Sequence, residues 1–116
     1  MSATINYNNR KFCAIENSEN GEVDAALVFY YQQEGNILSC SYTGAKILQG
    51  HLLGLVNDDG SIHMRYHQVN IQHQLLTGIC TSTPEIMPDG KIKLHEVWQW
   101  TSGDKSEGKS VLIEID

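Results

Sequence analysis

Lys91-Ile92-Lys93-Leu94-His95-Glu96-Val97-Trp98-Gln99-Trp100-Thr101 decides the fold. Ile92, Leu94, Glu96, Trp98 and Trp100 fall on every second position, with Lys91, Lys93, His95, Val97 and Gln99 between them. A period of two is that of a β-strand with one packed and one wet face. The packed face carries two tryptophans and a carboxylate, so a charge is expected among apolar neighbours.

The same alternation recurs outward in both directions. Ile62, Met64, Tyr66 and Gln68 oppose His63, Arg65, His67 and Val69. Leu38, Cys40 and Tyr42 oppose Ser39 and Ser41, and Val111, Ile113 and Ile115 oppose Leu112 and Glu114. Residues 47–56 break the pattern, because Leu48, Leu52 and Val56 alternate with Leu53 and Leu55 while Gly50 and Gly54 share the Leu48 face. Glycine inside a strand marks sharp curvature or the close approach of another backbone or ring.

Turn signals separate these segments: Asn8-Asn9, Asn20-Gly21, Glu34-Gly35-Asn36, Gly44, Asp58-Asp59-Gly60, Pro88-Asp89-Gly90 and the run from Gly103 to Gly108. They predict strands at 11–16, 25–32, 36–43, 47–56, 61–70, 75–83, 91–101 and 109–115, with a short leading strand at 4–7. No window sustains apolar residues at i, i+3, i+4 and i+7, and the one candidate helical turn is Ser18 to Ala26, weakened by Gly21. The fold class is all-β. About eight antiparallel strands joined by short turns leave two unpaired edges if laid flat, and closure removes them. The expected architecture is a single meander over 1–116 closed into a calycin-like (lipocalin-like) β-barrel, with a two-sheet β-sandwich as the alternative.

The chain has 116 residues, 14 acidic against 8 basic, and a net charge of −6. One domain is expected at this length. The acidic balance opposes recognition of nucleic acid or of an anionic membrane surface, and no stretch reaches the ~20 apolar residues of a membrane span. Residues 1–10 lack the apolar core of a secretory signal, so a cytoplasmic location is the default expectation. Cys13, Cys40 and Cys80 fit neither a disulfide framework nor a CxxC zinc site, and are expected as small buried hydrophobes.

Glu96 is the leading candidate for a functional group. A ligand cavity walled by Trp98, Trp100 and Tyr66, with Glu96, Gln68 and Tyr42 as polar contacts, matches the usual composition of small-molecule sites. The structural alternative is an internal hydrogen bond or ion pair that closes one end of the barrel. The five histidines give no metal site by spacing, since His63 and His67 lie roughly 13 Å apart along an extended strand. Arg65 is expected on the outer face, paired with an acid. No GxSxG elbow, GxGxxG or GxxxxGK[ST] motif occurs, and Cys80 lies within a strand rather than at a helix N-terminus. Neither catalytic residues nor a cofactor are assigned.

The phrases Ile5-Asn6-Tyr7-Asn8, Glu19-Asn20-Gly21-Glu22-Val23 and Ser82-Thr83-Pro84-Glu85-Ile86, and above all Leu94 through Asp104, carry a resemblance over nearly the whole chain. The chain resembles a small family of bacterial proteins labelled N-acetylglutamate synthase. That resemblance implies acetyl transfer from acetyl-CoA to glutamate, and it points to no catalytic residue. The residues themselves contain no Gln/Arg-x-x-Gly-x-Gly/Ala turn opening a helix to hold a pyrophosphate. The leading expectation is therefore a barrel that binds a small, partly apolar ligand or serves as an accessory domain, with the acetyltransferase as the alternative.

Overall fold

The computed structural model describes residues 5–17, 27–44 and 46–116. Among the described residues nine strands form one antiparallel sheet: β1 (Lys11–Asn17), β2 (Val28–Tyr30), β3 (Gln32–Glu34), β4 (Ile37–Gly44), β5 (Ile47–Val56), β6 (Ile62–Asn70), β7 (Leu75–Ile86), β8 (Ile92–Trp100) and β9 (Glu107–Ile115). Their order is β2-β1-β9-β8-β7-β6-β5-β4-β3. The terminal strands β2 and β3 are one stretch of chain on either side of Tyr31. Its first half pairs with β1 and its second with β4, so the sheet curls into a nearly closed barrel rather than a sandwich.

The expected strand at 25–32 is thus divided, because Tyr31 turns inward where the chain changes partner. Its N–H donates to Arg10 O and its carbonyl accepts from Asn9 N, both at 2.9 Å. The leading strand at 4–7 does not form over the described residues 5–7. Instead Tyr7 plugs the barrel, its hydroxyl donating to Gly60 O at 2.6 Å. The helical turn expected at Ser18 to Ala26 lies outside the described residues.

Two hairpins share one turn chemistry. In 57–61 and 87–91 the amides of Gly60 and Gly90 each donate to the carbonyl three residues back at 2.9 Å, with both glycines at positive φ. Asp59 and Asp89 each accept the amide two residues on at 2.9 Å. This is a turn followed by a left-handed glycine, which joins adjacent antiparallel strands with little chain.

Inside the barrel, alternate residues of successive strands line up in register. Ile62, Ser82, Glu96 and Ser110 form one row, and Met64, Cys80, Trp98 and Gly108 the next. Leu38, Ile62, Ile92, Leu94 and Leu112 are buried towards the plugged end, and each large apolar side chain so buried contributes about 1.5–3 kcal/mol. Tyr7, Phe12 and Tyr31 complete that end, with ring centroids 4.8–6.2 Å apart.

The irregular strand 47–56 is explained by a bulge. The register slips between Ile47 and Gln49, so Ile47 and Gly50 both face inward while Leu48 is turned out. From Gly50 onward the inner face is Leu52, Gly54 and Val56. On β9 the inner face holds Ser110 and Leu112, and Val111, Ile113 and Ile115 lie half-buried outside. Glu114 follows on the inner face at the barrel's end, where its carboxylate accepts from Arg10 Nη1 and from Ile92 N at 3.0 Å.

Candidate functional site

Three aromatic rings lie against the barrel wall because glycines stand beneath them. Tyr42 of β4 is the register partner of Gly50 on β5, Tyr66 of β6 that of Gly78 on β7, and Trp98 of β8 that of Gly108 on β9. A Cβ at Gly50, Gly78 or Gly108 would fall within 2.3 Å of its partner ring. Each such Cβ would meet three neighbouring atoms of the aromatic side chain at 2.3–2.8 Å, the pattern of a ring face laid over the glycine rather than an edge pointing at it. The opposite faces are left towards the lumen. The strand glycines that weaken the local sequence pattern are therefore what the rings require.

These rings are also held at their polar ends. The Tyr42 hydroxyl crosses β5 to donate to Gln68 Oε1 on β6 at 2.9 Å. Trp98 Nε1 donates to Ser110 Oγ on β9 at 2.8 Å. Tyr66 meets Trp100 edge-on at 5.6 Å, and Trp100 meets Trp98 in the same way at 5.7 Å. A belt of aromatic side chains results.

The belt surrounds a cavity of about 570 Å³ of atom-free space, part of it continuous with solvent. Its wall contains Phe29, Tyr31, Tyr42, Leu52, Met64, Tyr66, Gln68, Cys80, Glu96, Trp98, Trp100, Ser110 and Leu112. All six residues singled out in the sequence, Glu96, Trp98, Trp100, Tyr66, Gln68 and Tyr42, are brought together there. Phe29, Tyr31, Cys80 and Ser110 were not singled out. Phe29 and Tyr31 could have been found from the alternation Leu27-Phe29-Tyr31, whereas Ser110 joins the site only through its pairing with Glu96 across β8 and β9.

Glu96 faces this space. Its partial accessibility comes from bordering the cavity, since its two neighbours on the outer face, His95 and Val97, are exposed to bulk water. Ser82, fully buried and directly opposite on β7, donates its hydroxyl to Glu96 Oε2 at 2.5 Å. Enclosure pushes the Glu96 carboxyl up to about 7, partly opposed by hydrogen bonding from Ser82 and Cys80. Among the described residues no Lys, Arg or His lines the cavity. The hydroxyls of Tyr42 and Tyr66 and the thiol of Cys80 are raised above their ordinary values by burial, so they remain neutral hydrogen-bonding groups at physiological pH.

Tyr31 holds the other notable polar atom. Its buried hydroxyl has no hydrogen-bond partner among the described residues. Burial raises its pKa well above the ordinary value, and the Glu96 charge adds to the effect.

The remaining candidates lie elsewhere. His51 and His67 meet across β5 and β6 on the outer face, with ring centroids 5.6 Å apart. Among the described residues no group of three potential ligands is placed to hold a metal ion. Arg65 is exposed on the outer face, but none of the described acids pairs with it, contrary to expectation. Cys40 and Cys80 are buried and Cys13 is half-buried, all as free thiols.

Residues 5–115 match the family model described as avidin-like protein. No curated protein and no solved structure matches the chain. The match overturns the resemblance to the N-acetylglutamate synthase label. The phrase from Leu94 to Asp104 that carried it is strand β8 and the turn after it, and its spacing follows the alternation of a barrel wall.

Proposed function

The chain belongs to the avidin-like family, and from that membership and the cavity inside its barrel we propose that it binds a compact, largely apolar organic molecule through N–H donors directed at Glu96. The observation that carries the proposal is the combination of an aromatic wall with a carboxylate that has no cationic partner among the described residues. Apolar walls with a few fixed polar groups are the usual construction of a small-molecule site.

The residues take distinct roles. Tyr42, Tyr66, Trp98 and Trp100 supply ring surface and exclude water. Glu96, oriented by Ser82, accepts from the ligand, and the unpartnered Tyr31 hydroxyl offers a second polar contact. Gln68 and Ser110 hold Tyr42 and Trp98 in place. Preorganisation of this kind lowers the entropy lost on binding.

The avidin-like match suggests a small-molecule ligand. Biotin therefore belongs in the first screen, its cyclic urea supplying N–H donors suited to Glu96. The decisive measurement combines ligand-induced thermal shift with tryptophan emission, because both tryptophans of the chain line the cavity. A true ligand at a hundredfold excess over Kd stabilises the fold by about 2.7 kcal/mol. A broad screen in which no compound changes both signals would overturn the proposal.

A further inference from the structure

The electrostatics of the cavity restrict the ligand further than its shape does. A bound molecule with a negative group would meet the Glu96 carboxylate with no Lys, Arg or His among the described wall residues to offset it. A neutral molecule would leave that carboxylate without a counter-charge. A positive group would supply one, and it would meet a second favourable feature in the ring faces left towards the lumen by the Gly50, Gly78 and Gly108 seats. Aromatic faces attract cations through their quadrupole, most strongly where water is excluded. Trp98 follows Glu96 by two residues on the same strand face, about 6–7 Å along the wall, so one ammonium group can touch both carboxylate and ring.

We propose that the cavity is selective for a small organic ammonium ion with an apolar or aromatic body, its charged nitrogen at Glu96 and its body against the aromatic belt. The inference rests on the small-ligand reading above and narrows it to one charge class. The groups within electrostatic reach of Glu96 are Ser82 and Cys80 on β7, Ser110 on β9, and Tyr31, Tyr42 and Tyr66 across the lumen. None is cationic, and burial keeps those that titrate neutral near pH 7. Among the described residues Glu96 alone sets the charge of the site, which favours an ammonium ligand increasingly as pH rises through about 7.

Three probes with one skeleton separate charge from shape: 2-phenylethylammonium, 2-phenylethanol and 3-phenylpropanoate. Each is titrated at pH 8 into the intact protein while Trp98 and Trp100 emission is followed. The ammonium ion should bind at least tenfold more tightly than the alcohol, and the carboxylate most weakly. Glu96→Gln, checked for a cooperative melt, should erase the preference for the ammonium over the alcohol, whereas Glu96→Asp should retain it. Alcohol or carboxylate binding as tightly as the ammonium, or an undiminished preference in Glu96→Gln, would overturn the inference while leaving the small-ligand reading intact. So would a screen in which none of the three binds but another compound does. Failure of every compound of every charge overturns both.

Discussion

Tyr66 and Gly78 face each other across β6 and β7 so closely that the ring of one occupies the space where the other would carry a side chain. Ring and glycine form one unit of the wall. A methyl group at Gly78 must displace the ring, and the free direction is the lumen. Gly78→Ala should therefore cost about 1–3 kcal/mol, the range for overpacking a filled site, and reduce the cavity. Urea denaturation gives the first quantity and ligand titration the second. A variant with wild-type stability and unchanged ligand affinity would show that the ring has another place to go.

Glu96 gives a pH dependence whose sign is opposite to that of a salt-bridged carboxylate. With its pKa raised from 4.5 to about 7 in the folded protein, the native state keeps a proton that the unfolded chain has released. Its contribution to stability is therefore greatest below pH 4.5, falls as pH rises through about 7, and levels off above that. The whole change is on the order of 3–4 kcal/mol. Glu96→Gln keeps an acceptor for the Ser82 hydroxyl and removes the charge. The variant should match the wild type near pH 4.5 and exceed it in stability at pH 8. A less stable variant at pH 8 would mean that Glu96 has a structural partner whose loss outweighs its desolvation.

The fold was legible where periodicity alone determines which way a side chain points. On β8 a strict period of two places Ile92, Leu94, Trp98 and Trp100 inside without knowledge of any other strand, and β6 behaves in the same way. The phase of β5 was hidden because a bulge at Ile47–Gln49 shifts the alternation by one, and a bulge depends on pairing with a neighbour. Likewise Gly50 signalled the close approach of a ring, but only the register identifies that ring as Tyr42. Ser82 and Ser110 were missed as partners of the Glu96 row for the same reason. A serine has no strong pattern of its own, and its position opposite a carboxylate is a property of two strands together. The charge on Arg65 was correctly turned outward, yet its expected acid is absent among the described residues, since outer-face pairing depends on register as well.

Trp98 combines a large buried surface with one directed hydrogen bond, and two substitutions separate these contributions. Trp98→Ala should cost about 3–5 kcal/mol, as expected for removing a buried aromatic. Trp98→Phe retains a ring over Gly108 but loses the N–H donated to Ser110 Oγ at 2.8 Å, and should cost about 1–2 kcal/mol. Denaturant midpoints measure both. A loss below about 1 kcal/mol in Trp98→Ala would place the indole outside the packed wall.

Tyr31 provides the test in which stability and binding should move in opposite directions. Its ring is packed against Phe12 and Tyr7 on one side and borders the cavity on the other, while its buried hydroxyl has no partner among the described residues. An enclosed hydroxyl without a hydrogen bond has lost its hydration for no return, at about 1–3 kcal/mol. Tyr31→Phe preserves the ring and removes that group. The empty protein should melt at a higher temperature than the wild type, since the packing around Phe12 and Tyr7 is untouched. If the hydroxyl is completed by a bound ligand, the same variant should bind that ligand several-fold more weakly, and ligand should then raise its melting temperature less. A variant destabilised by more than about 1 kcal/mol would instead show that the hydroxyl is already satisfied in the empty barrel, the loss expected when a buried hydrogen bond is removed. A stabilised variant with undiminished affinity would take Tyr31 out of the binding site and leave Glu96 as its principal polar group.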